Sequence, residues 1–331
     1  MSGGVFDSPA PRFYSIAPGR PFLDDLAREL TPSLRGAGFE LPEATIYLPT
    51  RRATRALASA FLAASGASAT LTPKIRALGD IDEDEFALDD GFDAFALDDE
   101  LALAPPIAAA ERRLLLARLI AEKEKSYFDG QRHWAGAITA ADELGRLLDS
   151  LYTEEIDPEK LKSLTPDHLA KHWRDSLEFL EIVTDLWPAH LASEGLSDPA
   201  ARRIALIEAQ RQRWEASPPQ KPVIIAGTTG STPAVARMMK LVAGFDHGCV
   251  VLPGLDLAAS EAVWNAVDEP HPQSGLKALL ESLELDRACV RPWPGSETAN
   301  PRAGLVTVAL RPADASDDWR EWAEQAKAAG P

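Results

Sequence analysis

The stretch that most restricts the fold is Ala44 to Leu62, ATIYLPTRRATRALASAFL. An apolar, β-rich run, Thr45 to Leu48, is stopped by Pro49. Thr50 then caps a helix whose first two turns carry Arg51, Arg52 and Arg55. A helix start already presents free N–H groups and partial positive charge, so each of these cations opposes the dipole by a few tenths of a kcal/mol. Two readings stand side by side: solvated arginines on an exposed helix face, or a strand end and cationic helix start that hold an anion, the geometry used for phosphates.

A second strand-and-helix unit precedes it. Arg12 to Ala17 reads as a strand, Pro18-Gly19-Arg20-Pro21 as a tight loop, and Pro21 to about Arg35 as a helix with Phe22, Leu23, Leu26 and Leu30 on its inner stripe. Residues 1–11, with two prolines, two glycines and no apolar period, read as a mobile tail. The loop sits where a nucleotide-binding domain carries GxxxxGK[ST], whose N–H groups, lysine and hydroxyl grip phosphates and magnesium. Here the loop is too short, Pro18 and Pro21 have no N–H, there is no lysine, Phe22 falls near the hydroxyl position, and Asp24 and Asp25 repel a triphosphate. Pro18, Gly19 and Arg20 therefore form a degenerate phosphate loop in which Arg20 is left to meet a single phosphate.

A third strand is expected within Ser68–Leu78, where Lys74 and Arg76 alternate with Ile75 and are expected to face the same side as Arg51. Charge is segregated here. Residues 80–100 hold eleven acids and no base; taking them from the net charge of −17 leaves −6 over the other 310 residues. Between Leu41 and Leu78 the single acid Glu43 faces Arg51, Arg52, Arg55, Lys74 and Arg76, a local balance of +4. The acidic run, in which FALDD occurs at 86–90 and 95–99, reads as a solvated loop. A calcium site is the sharper alternative, but the EF-hand spacing is not matched.

From Pro105 to about Pro218 the period changes to helical, with helices expected over 108–125, 134–152, 158–164, 166–193 and 199–214. His168 and His172, one turn apart, lack a third ligand of fitting spacing and read as surface histidines. The α/β pattern then resumes. Pro222 to Ala226 is a buried strand, followed by the loop Gly227, Thr228, Thr229, Gly230, Ser231, which either wraps an anion or makes a tight helix cap before Pro233. A nucleotide hydrolase would end this strand in Asp-Glu to hold magnesium; Ala226-Gly227 stands there instead. Gly248–Leu252 is the next strand, Leu276–Leu283 a helix, and Leu305–Leu310 the last strand-like run. The closing WREWAEQAKAAGP reads as a helix cut in mid-course, as in a piece of a longer chain.

No apolar run approaches the roughly 18 residues of a membrane span, and the N-terminus lacks the pattern of a secretory signal, so a cytoplasmic protein is expected. Cys249 and Cys289 supply neither a disulfide framework nor a metal set and read as buried thiols.

Taken together, SIAPGRPFLDDLA at 15–27, LPTRRATRAL at 48–57, PKIRALGDIDEDE at 73–85, ERRLLLARLI at 111–120, HWRDSLEFLEIVTDLWP at 172–188, VIIAGTTGSTPA at 223–234, and CVVLPGLD with HPQSGLK at 249–277 resemble the N-terminal region of the AddB family of α-proteobacterial helicase-nuclease subunits, which repair double-strand breaks. The resemblance implies an α/β, parallel-sheet lobe like that of superfamily-1 helicases, a degenerate P-loop NTPase, interrupted by an inserted all-helical subdomain. Its parts would be 12–104, 105–218 and 219–331. It implies DNA ends, single- or double-stranded, as partner, together with the AddA motor subunit that would hydrolyse ATP. By matching positions it makes Thr50, Arg51 and Arg52, with Arg55 one turn on, phosphate contacts to DNA; Lys74 and Arg76 join them through the local basic balance. The family's iron–sulfur cluster and magnesium belong to a C-terminal nuclease for which this chain has neither the length nor the cysteines, so no cofactor and no catalytic residue is expected here. The rival readings are a nucleotide-dependent enzyme with Arg20, Thr228, Thr229 and Ser231 about the phosphates, and a protein-interaction module using the acidic segment.

Overall fold

The computed structural model describes residues 4–78, 103–124, 134–162, 180–230, 232–296 and 301–315. Six short strands form one sheet: β1 Phe13–Ile16, β2 Thr45–Leu48, β3 Lys74–Ala77, β4 Val223–Ala226, β5 Gly248–Pro253 and β6 Val290–Pro292. Their lateral order is β3-β2-β4-β5-β1-β6, and every neighbouring pair is parallel. In chain order the helices are α1 Phe22–Gly36, α2 Arg51–Ser65, α3 Ala109–Glu124, α4 Trp134–Thr153, α5 Glu159–Lys162, α6 Trp187–Glu194, α7 Pro199–Ala216, α8 Pro233–Ala243, α9 Glu261–Asn265, α10 Ser274–Ser282 and α11 Pro301–Ala309. The chain divides into two compact units: Met1–Ile81 with Arg211–Ser231 and Val235–Pro331, and Asp82–Gln210 with Thr232–Ala234.

The first unit holds the sheet. Parallel strands need crossovers that cover both faces, which is why β1 and β4 are apolar or small and buried along their whole length. On one face Tyr14, Ile16, Ile46, Leu48, Ile224, Cys249 and Val251 meet Leu26, Leu30 and Leu34 of α1 and Leu57 and Phe61 of α2. The three leucines recur every fourth residue and so form one stripe, each worth roughly 1.5–3 kcal/mol when buried. Trp293, fully buried just beyond β6, ties α1 to the sheet: its indole N–H donates to the Asp25 carbonyl at 3.1 Å and its ring stands edge-on to Tyr14. Burial pushes the Cys249 thiol up to about 12 and raises the Tyr14 phenol as well.

The second unit's described elements are helical. Leu116, Ile120 and Ala121 of α3 pack with Ala137, Ala141, Leu144 and Leu148 of α4, and with Ile182, Val183 and Trp187 around a π-helical turn at Ile182–Leu186 that runs into α6. Its buried polar centre is Asp198, which accepts from Arg112 Nε at 2.9 Å, the Trp187 indole at 3.1 Å and the Ala200 N–H at 2.9 Å. Burial, helped by the Asp198 charge, pushes the neighbouring Tyr152 phenol up to about 12.

Several sequence expectations change. Residues 4–11 are not a loose tail: Val5 and Phe6 are buried against the α1 side of the sheet, and Tyr14 Oη donates to the Val5 carbonyl at 2.7 Å. Residues 305–309 are not a strand but part of α11, which Pro301 opens, and Leu310 is a turn after it. β6 itself, three residues long, has too little pattern to be read. Cys289 is exposed in a 3-10 turn, so only Cys249 is a buried thiol. The acidic segment 80–100, His168, His172, Ser231 and the closing WREWAEQAKAAGP lie outside the described residues.

Candidate nucleic-acid interface

Because all six strands are parallel, the loops after β1, β2, β4 and β5 emerge along one edge. The chain leaves β1 toward β2 on one side and passes from β5 across β1 to β6 on the other, so the crevice of an open α/β sheet falls outside the ends of β1 and β5. The described candidate residues other than Lys74 and Arg76 are distributed along this edge.

At the end of β2, Pro49 stops the strand and Thr50 Oγ1 accepts from the Ala53 N–H at 3.2 Å, satisfying one free donor of α2 for about 1 kcal/mol. The first turn of α2 contains no acid, and Arg51, Arg52 and Arg55 are exposed. Ala53, Leu57, Ala60 and Phe61 point into the core, which turns Arg52 and Arg55 to the outer face of the helix. Neither Arg52 nor Arg55 has an ion-pair partner among the described residues.

The loop after β1 is arranged differently. Arg20 donates through Nε to Asp25 Oδ2 at 2.7 Å, and through a terminal nitrogen to Asp25 Oδ1 at 3.1 Å and the Gly295 carbonyl at 3.0 Å. Arg28 reaches the same carboxylate at 2.7 Å, and the Asp25 side chain is only 2% exposed. The first turn of α1 therefore already has an anion beside it, the chain's own carboxylate, which is where a helix dipole favours one. Pro18 and Gly19 precede this closed pair, Gly19 with a left-handed φ of 75°.

Phe22, the first residue of α1, fills the space between the loops. Gly227, at the end of β4, has φ of 72°, and a Cβ there would lie 3.2 Å from Phe22 Cε1 and 3.7 Å from Pro49. Two donors of the glycine loop are also engaged: the Gly227 N–H bonds the Val251 carbonyl at 2.9 Å, and the Gly230 N–H bonds Thr228 Oγ1 at 3.1 Å. Gly230 has a packing role, since a Cβ would stand 2.5 Å from Leu279 Cδ1. Thr229 is exposed. This loop resembles a tight helix entry more than an open anion nest.

Lys74 and Arg76 do not join Arg51. β3 pairs with β2 so that Lys74 faces Thr45, Ile75 faces Ile46 and Arg76 faces Tyr47. Ile75 packs into the core beneath α1 and α2, so alternation sends Lys74 and Arg76 to the opposite face of the sheet. The basic stretch read from sequence is thus split across the sheet.

A cavity of about 410 Å³, within the usual range for small-ligand sites, lies outside β1 and β5, between Pro18-Gly19 and α9, with Val263, Trp264, Val267, Val306 and Leu310 as its apolar walls. Gln273 braces it, accepting from the Asp256 N–H and donating to the Gly254 carbonyl, while Arg287 stacks 5.0 Å over the Trp264 ring. Val263, Trp264, Val267 and Arg287 carry no signal in the sequence beyond a tryptophan among ordinary helix residues, and Val306 and Leu310 read there as part of a strand-like run. Among the described residues no group of three or more His, Cys, Asp or Glu side chains is placed to hold a metal, and no helix is long and apolar enough to cross a membrane. No protein-family model matches this chain, and no curated protein is significantly similar to it.

Proposed function

We propose that this chain is a non-catalytic, helicase-like lobe that holds nucleic-acid phosphates at the C-terminal edge of its sheet, in the manner of the N-terminal region of an AddB-type subunit of a double-strand-break repair complex. In this reading a partner motor of the AddA type hydrolyses ATP, and the helices between β3 and β4 are an inserted subdomain. The observation that carries it is the start of α2: three exposed arginines, no acid in the first turn, and a threonine cap, immediately after a strand of a parallel sheet. Arg52 and Arg55, which have no ion-pair partner among the described residues, oppose the helix dipole unless an anion joins them, and a phosphodiester chain supplies one at each step.

The degenerate loop supports the non-catalytic part. A triphosphate needs N–H groups, a lysine and a magnesium-holding acid; here prolines, an Arg20–Asp25 pair and the Phe22 ring occupy those places. The nucleotide-enzyme alternative would have to break that pair to recruit Arg20. Fluorescence anisotropy with labelled single-stranded DNA tests the reading. Arg51→Ala with Arg52→Ala is expected to weaken binding for every sequence and to reduce the log–log salt slope by about one to two. Equal binding at all salt concentrations would refute it.

A further inference from the structure

On the other face of the sheet, away from the start of α2, a second groove combines cations with aromatic surface. The last turns of α7 and the body of α8 enclose about 470 Å³ lined by Arg211, Trp214, Arg237, Lys240 and Phe245, with Glu215 as the lining acid. Glu215 accepts from Arg211 at 2.9 Å. Arg237 and Lys240 are exposed on the outer side of α8. Trp214 is half-buried and held edge-on between Tyr47 and Phe245, at 5.9 Å from each ring centroid, and Arg12 fixes the Phe245 carbonyl from behind at 2.7 Å.

Lys74 and Arg76, which β3 turns away from α2, belong to this face: Arg76 is the register partner of Tyr47, on which Trp214 rests. Basic side chains of β3 thus share a face of the sheet with Tyr47, the ring on which the groove's tryptophan rests. This is the chemistry of a single-stranded nucleic-acid groove, in which cations follow the phosphates and an aromatic ring receives bases. A basic groove for a duplex needs no aromatic ring, whereas unpaired bases stack on one.

We infer that this groove is a second binding site for single-stranded nucleic acid, separate from the phosphate contacts at the start of α2. It rests on the same reading of the chain as a nucleic-acid holder, and adds a track on the opposite face. The test uses the full chain and an oligothymidylate of about 12 nucleotides. Arg237→Gln with Lys240→Gln changes two exposed side chains and leaves the core untouched. Binding is expected to fall about tenfold at moderate salt and the log–log salt slope to drop by about 1.4, two phosphate contacts' worth on a single strand.

Trp214→Phe gives the local readout. Quenching of tryptophan emission by the oligonucleotide in the parent chain is expected to lose its Trp214 component in this variant, and to keep it in the Arg51→Ala, Arg52→Ala variant. If the glutamine variant binds like the parent while the double alanine variant is impaired, the groove is not a site and the edge reading stands. If the double alanine variant is unaffected while the glutamine variant is impaired, the groove stands and the edge reading falls. Competition by polyglutamate with no Trp214 quenching by DNA would make the groove an acidic-peptide site and overturn the inference.

Discussion

The ring of Phe22 stands over Gly227, with 3.2 Å between Phe22 Cε1 and the point a Cβ of residue 227 would occupy. These residues open α1 and follow β4, so the contact stops the two loops that would embrace a nucleotide's phosphates from leaving a gap. Gly227 also needs its φ of 72°, which costs a side chain about 1 kcal/mol. Gly227→Ala is therefore expected to lower unfolding stability by about 1–3 kcal/mol, strain and crowding together, as measured by urea denaturation. Gly227→Ala combined with Phe22→Leu should recover part of the loss, because the crowding component is relieved and the backbone component is not.

Asp25 is the hub of the first loop. Its carboxylate accepts from Arg20 through both oxygens and from Arg28 through Oδ1, while its carbonyl takes the Trp293 indole. Both arginines are partly exposed, so the pairs are weaker than fully buried ones, and Asp25→Ala is expected to cost about 2–3 kcal/mol. Arg28→Ala, which leaves Arg20 in place, should cost less than 1 kcal/mol in the same denaturation experiment.

In the second unit Asp198 has three donors and no exposure of its side chain. Asp198→Ala takes the acceptor from the Trp187 indole and from Arg112 Nε, while Arg112 keeps its ion pair with Asp149 at 2.9 Å, and is expected to cost about 2–3 kcal/mol. The change in Trp187 emission reports it directly.

Alkaline pH weakens the fold in a defined window. Cys249 and Tyr152 both have folded values pushed up to about 12, from 9.0 and 10.0, so above pH 9 the unfolded chain loses these protons first and binds fewer than the native one. Stability is then lost as pH rises, by up to about 1.4 kcal/mol per pH unit for each group. Thermal unfolding between pH 8 and pH 11 should show this decline, and Cys249→Ala should remove the thiol's share. A thiol reagent in native conditions should titrate Cys289 alone, and both cysteines after denaturation.

Much of this edge is legible in the sequence because its signals are local. The Thr50 cap, Pro49 as strand stop and the interior positions of α2 follow from neighbours a few residues away, as do the buried runs at β4 and β5. The missing lysine and the absent Asp-Glu are equally local. What escapes is set by partners far along the chain. Lys74 and Arg76 fall on the unexpected face because Ile75 is drawn into a core built by α1 and α2. Arg20 meets Gly295 across 275 positions, and Trp214 is held by Tyr47 and Phe245, contacts that no window of sequence displays. Leu305–Leu310 shows the remaining ambiguity: a short apolar run suits strand and helix alike, and its first five residues are helical after Pro301.

Isothermal titration of the protein with ATP and magnesium puts the central proposal, that Asp25 and Phe22 fill the place a nucleotide's phosphates would take, to the most direct test. The account predicts no binding heat up to about millimolar nucleotide, a free energy weaker than about −4 kcal/mol. Saturable binding in the micromolar range would show that the Arg20–Asp25 pair opens for a triphosphate, and would contradict it.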